Sequence, residues 1–149
     1  MFTRNNHTAR AACLFILFGL ATLRAEVHDG KSFAIEQAVP KLEIEYNPFI
    51  LRESWWDGEL KPGEVKIIQH QLYKRNEYWF WLGASLMEAK VNVHIYDSAG
   101  NLTDAESFQT DNVAGVRVVP EKTGTYYLRI AIESSPVDQT PWALIYAYR

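Results

Sequence analysis

The chain has 149 residues, of which 48% are hydrophobic and 22% are charged, and its formal net charge is −3 at pH 7. This length suits one domain and leaves no room for two cores of ordinary size, and the apolar fraction is too high for a disordered chain. Mild acidity without a long basic cluster argues against a phosphate-binding surface, so nucleic acid is not an expected partner.

The first 25 residues have the pattern of a secretory signal peptide. Arg4 and Arg10 give a positive start, residues 11–22 form a run of 12 apolar residues, and Ala25 is a small residue at the exit. A membrane anchor is the alternative, but twelve helical residues span only about 18 Å, less than the hydrocarbon core of about 30 Å. We expect cleavage after Ala25, or alternatively after Ala21, and a secreted or periplasmic protein that meets the membrane only before cleavage.

Removal of this segment would change the chemistry of the chain. The segment contains three arginines and no carboxylate, so the net charge would change from −3 to −6. Cys13, the single cysteine, would leave with it. The mature protein would then have neither a disulfide nor a thiolate metal site, and its stability would rest on its core alone.

The remainder of the chain reads as short strands separated by turn signals. Pro62-Gly63 suits a type II turn, and residues 97–101 carry an Asp and a Gly at turn positions. The only helix candidate is 32–39, which Pro40 would end, and the pattern does not favour it over an irregular segment. We predict an all-β fold, an antiparallel β-sandwich of seven to eight strands. Alternation or short apolar runs place strands at 41–46, 65–72, 78–82, 91–96, 113–119, 126–133 and 142–148.

The last 90 residues carry a resemblance. Ile95-Tyr96-Asp97 is followed by Gly100-Asn101, residues 123–130 read TGTYYLRI, and residues 142–149 form a last aromatic strand, WALIYAYR. In this order the segment 60–149 resembles the bacterial pre-peptidase C-terminal domain. The resemblance implies a jelly-roll β-sandwich that serves exported proteins as a non-catalytic accessory module.

The expected organisation follows from these patterns. Residues 1–25 are the signal peptide, 26–59 are an N-terminal extension or the first strands, and 60–149 are the β-sandwich domain. We expect 26–149 to form one compact unit. Because 26–59 are too few residues to form a peptidase, the accessory role that the resemblance implies is expected without an attached enzyme.

Catalytic and zinc-binding signatures are weak. The chain after residue 25 contains no cysteine and no Gly-x-Ser-x-Gly turn. His70 and His94 occupy polar positions of their strands, where we predict that both face solvent, and their spacing matches no zinc motif. We therefore expect no catalytic residue, with a hydrolase that uses an unrecognised site as a minor alternative.

Calcium is a better candidate metal than zinc, although we expect no cofactor. Asp97, Asn101 and Asp104 supply oxygen ligands around one turn. Calcium prefers six to eight oxygens, so most of the shell would have to come from carbonyls and water. Turn geometry alone also explains Asp97 and Gly100.

The tryptophans are the residues most open to a binding role. Trp55 and Trp56 lie among carboxylates, where an exposed indole could stack on a sugar ring, or both rings could cap the end of the sandwich. Trp79 and Trp81 share one face of their strand, so they either pack beneath a loop or form an outer platform. We take all four as candidate ligand-binding residues and favour packing for each pair.

These observations predict an exported, non-catalytic accessory module with a binding or structural role at the cell envelope or outside the cell. Its partner would be a polysaccharide, an envelope component or a secreted protein. The alternative is a carbohydrate-binding module in the narrower sense, with the exposed tryptophans as its stacking surface.

Overall fold

A computed structural model describes residues 29–43 and 46–149. The predicted signal peptide lies outside the described residues, as do Ile44 and Glu45. Within the described ranges no helix has the length and apolar character needed to cross a bilayer. The elements are α1 (Gly30–Leu42), β1 (Ile50–Leu51), β2 (Trp56–Leu60), β3 (Val65–Leu72), β4 (Tyr78–Ala84), β5 (Lys90–Tyr96), β6 (Glu106–Thr110), β7 (Val113–Val118), β8 (Gly124–Ser134) and β9 (Thr140–Tyr148).

The nine strands form two antiparallel sheets that pack face to face. The larger sheet has the order β1-β9-β4-β7-β6, and β2 also pairs with β9. The smaller sheet has the order β3-β8-β5. The prediction of an all-β antiparallel sandwich is confirmed, with nine strands in place of seven or eight. Because β1 and β2 pair with β9, the larger sheet includes residues that precede position 60.

Six of the predicted strands are present as β3, β4, β5, β7, β8 and β9. Between β2 and β3 the predicted Pro62-Gly63 turn is formed: Gly63 has φ of 82°, and the Glu64 amide donates to the Lys61 carbonyl at 3.0 Å. β2 and β6 were not predicted, because most of their side chains are exposed and leave no apolar alternation.

The core between the sheets follows from residue alternation. In β4, Tyr78, Phe80 and Leu82 face the smaller sheet, where they pack in one cluster with residues such as Leu128 and Ile130 of β8. Every residue of β4 is buried, which requires that its other face also be covered.

Helix α1 provides that cover. Asp29 caps it, because its carboxylate accepts the Ser32 amide proton at 2.8 Å. Gly30, Ala34 and Ala38 are its buried residues and lie four apart, so they form one small-residue face against the larger sheet. The helix predicted as a mere candidate at 32–39 is therefore present and longer.

The predicted strand at 41–46 is wrong for its first residues. Lys41 and Leu42 belong to the last turn of the helix, and Glu43 ends it by donating its amide to the Val39 carbonyl at 3.1 Å. Pro40 lies inside the helix, where only two helical residues follow it. The physical reason is tertiary: an apolar sheet surface needs a cover, and burial there outweighs the local alternation.

Candidate functional site

Trp79 and Trp81 lie beneath helix α1, on the outer face of the larger sheet. They are 2% and 1% exposed, and their rings stack with centroids 5.7 Å apart. They pack in one cluster with Ala34 and Ala38. The element that covers them is a helix and not the loop that the sequence favoured. Neither indole offers a free face for a ligand in this structure.

Trp56 and Trp55 have different environments. Trp56 is half-buried at the edge of the inter-sheet core, where its ring contacts His70 at 5.1 Å and Tyr146 at 5.6 Å between centroids. Trp55 remains 45% exposed, its indole N–H donates to Asp57 at 3.4 Å, and the Lys31 ammonium lies 3.2 Å from its ring centroid. One face and the polar edge of Trp55 are thus already engaged.

Trp55 borders a groove of about 400 Å³ beside the start of helix α1, which we call the acidic groove. Its lining includes three carboxylates and one ammonium group, from Asp29, Asp57, Glu59 and Lys31. An indole among carboxylates is the arrangement that the sequence suggested for stacking on a sugar ring, but the Lys31 ammonium occupies one stacking face of Trp55.

His70 and His94 lie on opposite faces of the smaller sheet. His70 pairs with Tyr126 and His94 with Arg129, and residues three apart on one strand point to opposite sides. They therefore do not share a site. Among the described residues no group of three or more His, Cys, Asp or Glu side chains is placed to hold a metal ion.

The prediction that His70 faces solvent is wrong. Its side chain points into the gap between the sheets, where its ring contacts Tyr146 at 4.8 Å and Phe80 at 6.2 Å between centroids. The sequence did contain this signal, since His70 is in phase with Ile68 and Leu72, which are both buried. Because histidine is polar, this position was not recognised as one of the buried positions of the strand.

The structure brings two of the candidate calcium ligands, Asp97 and Asn101, into contact and gives Asp104 other partners. The Asp97 carboxylate accepts the amide protons of Ala99 and Asn101 at 2.9 and 2.8 Å, and the Asn101 side chain donates to it at 3.0 Å. The Asp104 carboxylate instead contacts His94 Nδ1 at 2.7 Å and accepts the Ile95 amide proton at 2.8 Å. Both carboxylates are thus engaged with the protein itself, and turn geometry accounts for Asp97.

A second cavity opens between the two sheets, where β3 faces β4 and β9. It has a volume of about 380 Å³ and is lined mainly by aromatic rings and neutral polar groups, with one guanidinium and no carboxylate. We call it the aromatic cleft. Its principal residues are Arg52, His70, Tyr73, Asn76, Tyr146 and Tyr148.

The backbone holds Arg52 at the mouth of the cleft. Its amide donates to the Tyr146 carbonyl at 3.0 Å, and its guanidinium carbon lies 5.7 Å from the Tyr148 ring centroid. Electrostatic interaction with Tyr146, and then with Tyr148, raises the pKa of Arg52 above its ordinary value. The guanidinium therefore stays charged beside two phenols.

Hydrogen bonds around Tyr78 order the opposite wall. The Tyr78 hydroxyl accepts the Tyr73 amide proton and an amide proton of the Asn76 side chain, both at 3.1 Å. Tyr73 itself is 56% exposed. These bonds fix the β3–β4 turn so that Tyr73 and the Asn76 side chain border the cleft.

Burial lowers the pKa of His70 below its ordinary value of 6.5, and the nearby Arg52 charge lowers it further. The unfolded chain therefore takes up this proton first as pH falls. The stabilising effect of neutral His70 is complete above pH 6.5 and is lost between 6.5 and the lower pKa of the folded state. We expect the His70 ring signals in an NMR titration to change below pH 6.5, and a midpoint at or above 6.5 would contradict the burial described here.

Sequence reasoning missed the aromatic cleft because its residues come from separate segments. Tyr146 and Tyr148 alternate with small and apolar residues in β9, a pattern that is typical of core positions and not of a binding site. Arg52 lies between two strands that carry no alternation.

Comparison with known proteins assigns no family, since no protein-family model and no curated protein matches the chain.

Proposed function

We propose that this chain is an exported, non-catalytic binding module whose ligand occupies the aromatic cleft. The observation that carries the proposal is the composition of this cavity: rings, neutral hydrogen-bonding groups and one cation converge at an opening between the sheets. The signal-peptide pattern of residues 1–25 supports export to the envelope or beyond it.

The chemistry of the cleft favours binding over catalysis. His70 is the group suited to proton transfer, and its ring contacts the rings of Trp56 and Tyr146. A nucleophilic mechanism needs a hydroxyl or thiol and an orienting carboxylate around such a base. No carboxylate lines the cleft.

Stacking surfaces and neutral donors together favour a sugar-containing ligand. Tyr73 presents an exposed ring, and tyrosines are suited to this role because they combine an apolar face with a polar tip. This proposal transfers the carbohydrate-binding role from the tryptophans to the tyrosines, since Trp79 and Trp81 are covered and Lys31 lies over Trp55.

The test compares two exposed aromatic residues, one in each cavity. We expect Tyr73→Ala to weaken binding to soluble polysaccharides by about tenfold, as loss of one well-placed contact residue does. Trp55→Ala in the acidic groove is the matched control and should bind like the unmodified protein. Both rings are exposed, so neither change should unfold the sandwich.

Affinity electrophoresis over a panel of neutral and acidic polysaccharides provides the measurement, with thermal melting as the check on folding. A loss of binding in Trp55→Ala with none in Tyr73→Ala would contradict the proposal and return the role to the acidic groove. Absence of binding to every polysaccharide in the panel would also contradict it.

A further inference from the structure

The charge of the aromatic cleft differs from that of two other cavities. The acidic groove contains three carboxylates, and a third cavity near the β5–β6 and β7–β8 loops contains Asp97 and Glu121. The aromatic cleft contains none, although the chain carries 18 acidic and 15 basic residues. An acidic protein thus keeps one of its cavities free of carboxylates.

Arg52 also differs from Arg117 and Arg149 in its charge partners. Arg117 and Arg149 both form ion pairs with Glu77. No carboxylate in the described part of the chain forms an ion pair with Arg52, which interacts instead with the Tyr146 and Tyr148 side chains through their hydroxyl groups and the Tyr148 ring. A guanidinium without a carboxylate partner, held beside rings, is suited to bind a planar anion through two parallel hydrogen bonds.

We propose that the ligand of the aromatic cleft is an acidic saccharide, a sugar ring that carries a carboxylate, with the carboxylate bound by Arg52. This inference rests on the proposed function. The sugar ring lies against the tyrosine rings, and its hydroxyl groups bond to the neutral polar groups. The Asn76 amide oxygen and the His70 ring nitrogens are suited to this, because the hydrogen bonds that the described residues form leave them unused.

The balance of groups favours a saccharide over an acidic peptide. One cation lies among several groups that both donate and accept hydrogen bonds, which suits a sugar ring that has many hydroxyl groups and one charge. An acidic peptide carries its charges at close intervals and would need further cations. None besides Arg52 lines the cleft.

The test titrates the purified protein with three probes by isothermal calorimetry. The probes are an oligomer of galacturonic acid, its methyl ester, and an oligoglutamate peptide. We expect the free acid to bind at least about tenfold more tightly than the ester, since the ester cannot accept the charge-assisted hydrogen bonds of the guanidinium. The peptide should bind no more tightly than the ester.

Two variants test whether Arg52 produces the preference for the free acid over the ester. Arg52→Gln should remove the preference, so that acid and ester bind alike. Lys74→Gln is the matched control: it removes a cation from the neighbouring β3–β4 turn that does not line the cleft, and it should keep the preference. Arg52 is exposed, so its replacement should leave the melting temperature nearly unchanged.

The outcomes separate this inference from the proposed function. If the acid and the ester bind equally to the unmodified protein, the inference of an acidic ligand is wrong, and the proposed saccharide-binding function is unaffected. If the peptide binds as tightly as the free acid or more tightly, the choice of a saccharide as the ligand is overturned. Absence of binding by both saccharide probes overturns the inference, and the proposed function then depends on the polysaccharide panel.

Discussion

Replacement of Gly83 by alanine should destabilise the protein by about 2–3 kcal/mol and loosen helix α1 from the larger sheet. A Cβ at position 83 would collide with the Gly30 carbonyl oxygen and would lie 2.9 Å from the Ala34 amide nitrogen. Both atoms belong to the helix backbone, so no side chain can rotate away and the whole helix must shift.

The readout is specific, because the helix covers two indoles. Trp79 and Trp81 would gain solvent exposure, and their fluorescence emission would move to longer wavelength. Gly124→Ala is the matched control, since a Cβ at position 124 meets no atom within 4 Å. Urea unfolding that shows equal stability for the two variants would contradict the close docking of helix α1.

Replacement of Glu77 by glutamine should destabilise the protein by about 2 kcal/mol. The Glu77 carboxylate accepts hydrogen bonds from Arg117 at 2.9 Å and from Arg149 at 2.8 Å. Its backbone also pairs with Arg149, whose guanidinium lies 4.4 Å from the Phe49 ring centroid. The carboxylate therefore links the start of β4, the end of the chain and the segment that follows helix α1.

Glu106→Gln provides the comparison within the same network. The Glu106 carboxylate contacts Arg117 at 3.2 Å but is 53% exposed, against 20% for Glu77. Solvent screens exposed pairs, so we expect this variant to lose at most about 0.5 kcal/mol. Equal losses for the two variants in chemical unfolding would show that the shared carboxylate does not hold the C-terminus in place.

Most of the sandwich could be predicted from sequence, because its strands carry apolar residues on at least one face. β8 alternates cleanly from Tyr126 to Ile132, and six strands lie where the pattern places them. β6 escaped prediction since it is an edge strand and only Phe108 is partly covered. The turn chemistry of Pro62-Gly63 was also readable, because it depends on local backbone geometry.

Helix α1 shows what the local pattern leaves out. The alternation at 41–46, which begins inside the helix, suggests a strand, and the hydrophobic content of the helix is modest. The usable signal is the spacing of Gly30, Ala34 and Ala38, since small residues four apart allow a helix to approach a sheet closely. The need for a helix at this position comes from Trp79 and Trp81, which lie on a distant strand.

The aromatic cleft could not be predicted for a related reason. Arg52, His70 and Tyr148 come from three segments that only the pairing of β1 and β2 with β9, and the packing of the two sheets, bring together. The tryptophans drew attention because they are the largest rings. The structure packs three of the four candidates, Trp56, Trp79 and Trp81, against buried clusters and leaves Trp55 beneath an ammonium group.

The most direct test of the binding role is a map of backbone amide NMR shifts as an acidic oligosaccharide is added to the isotopically labelled protein. We predict that the largest changes fall on Arg52, His70, Tyr73 and Tyr148, with the segment from Trp55 to Glu59 nearly unchanged. Changes confined to the acidic groove, or no changes at saturating ligand, would contradict the assignment of the aromatic cleft as the binding site.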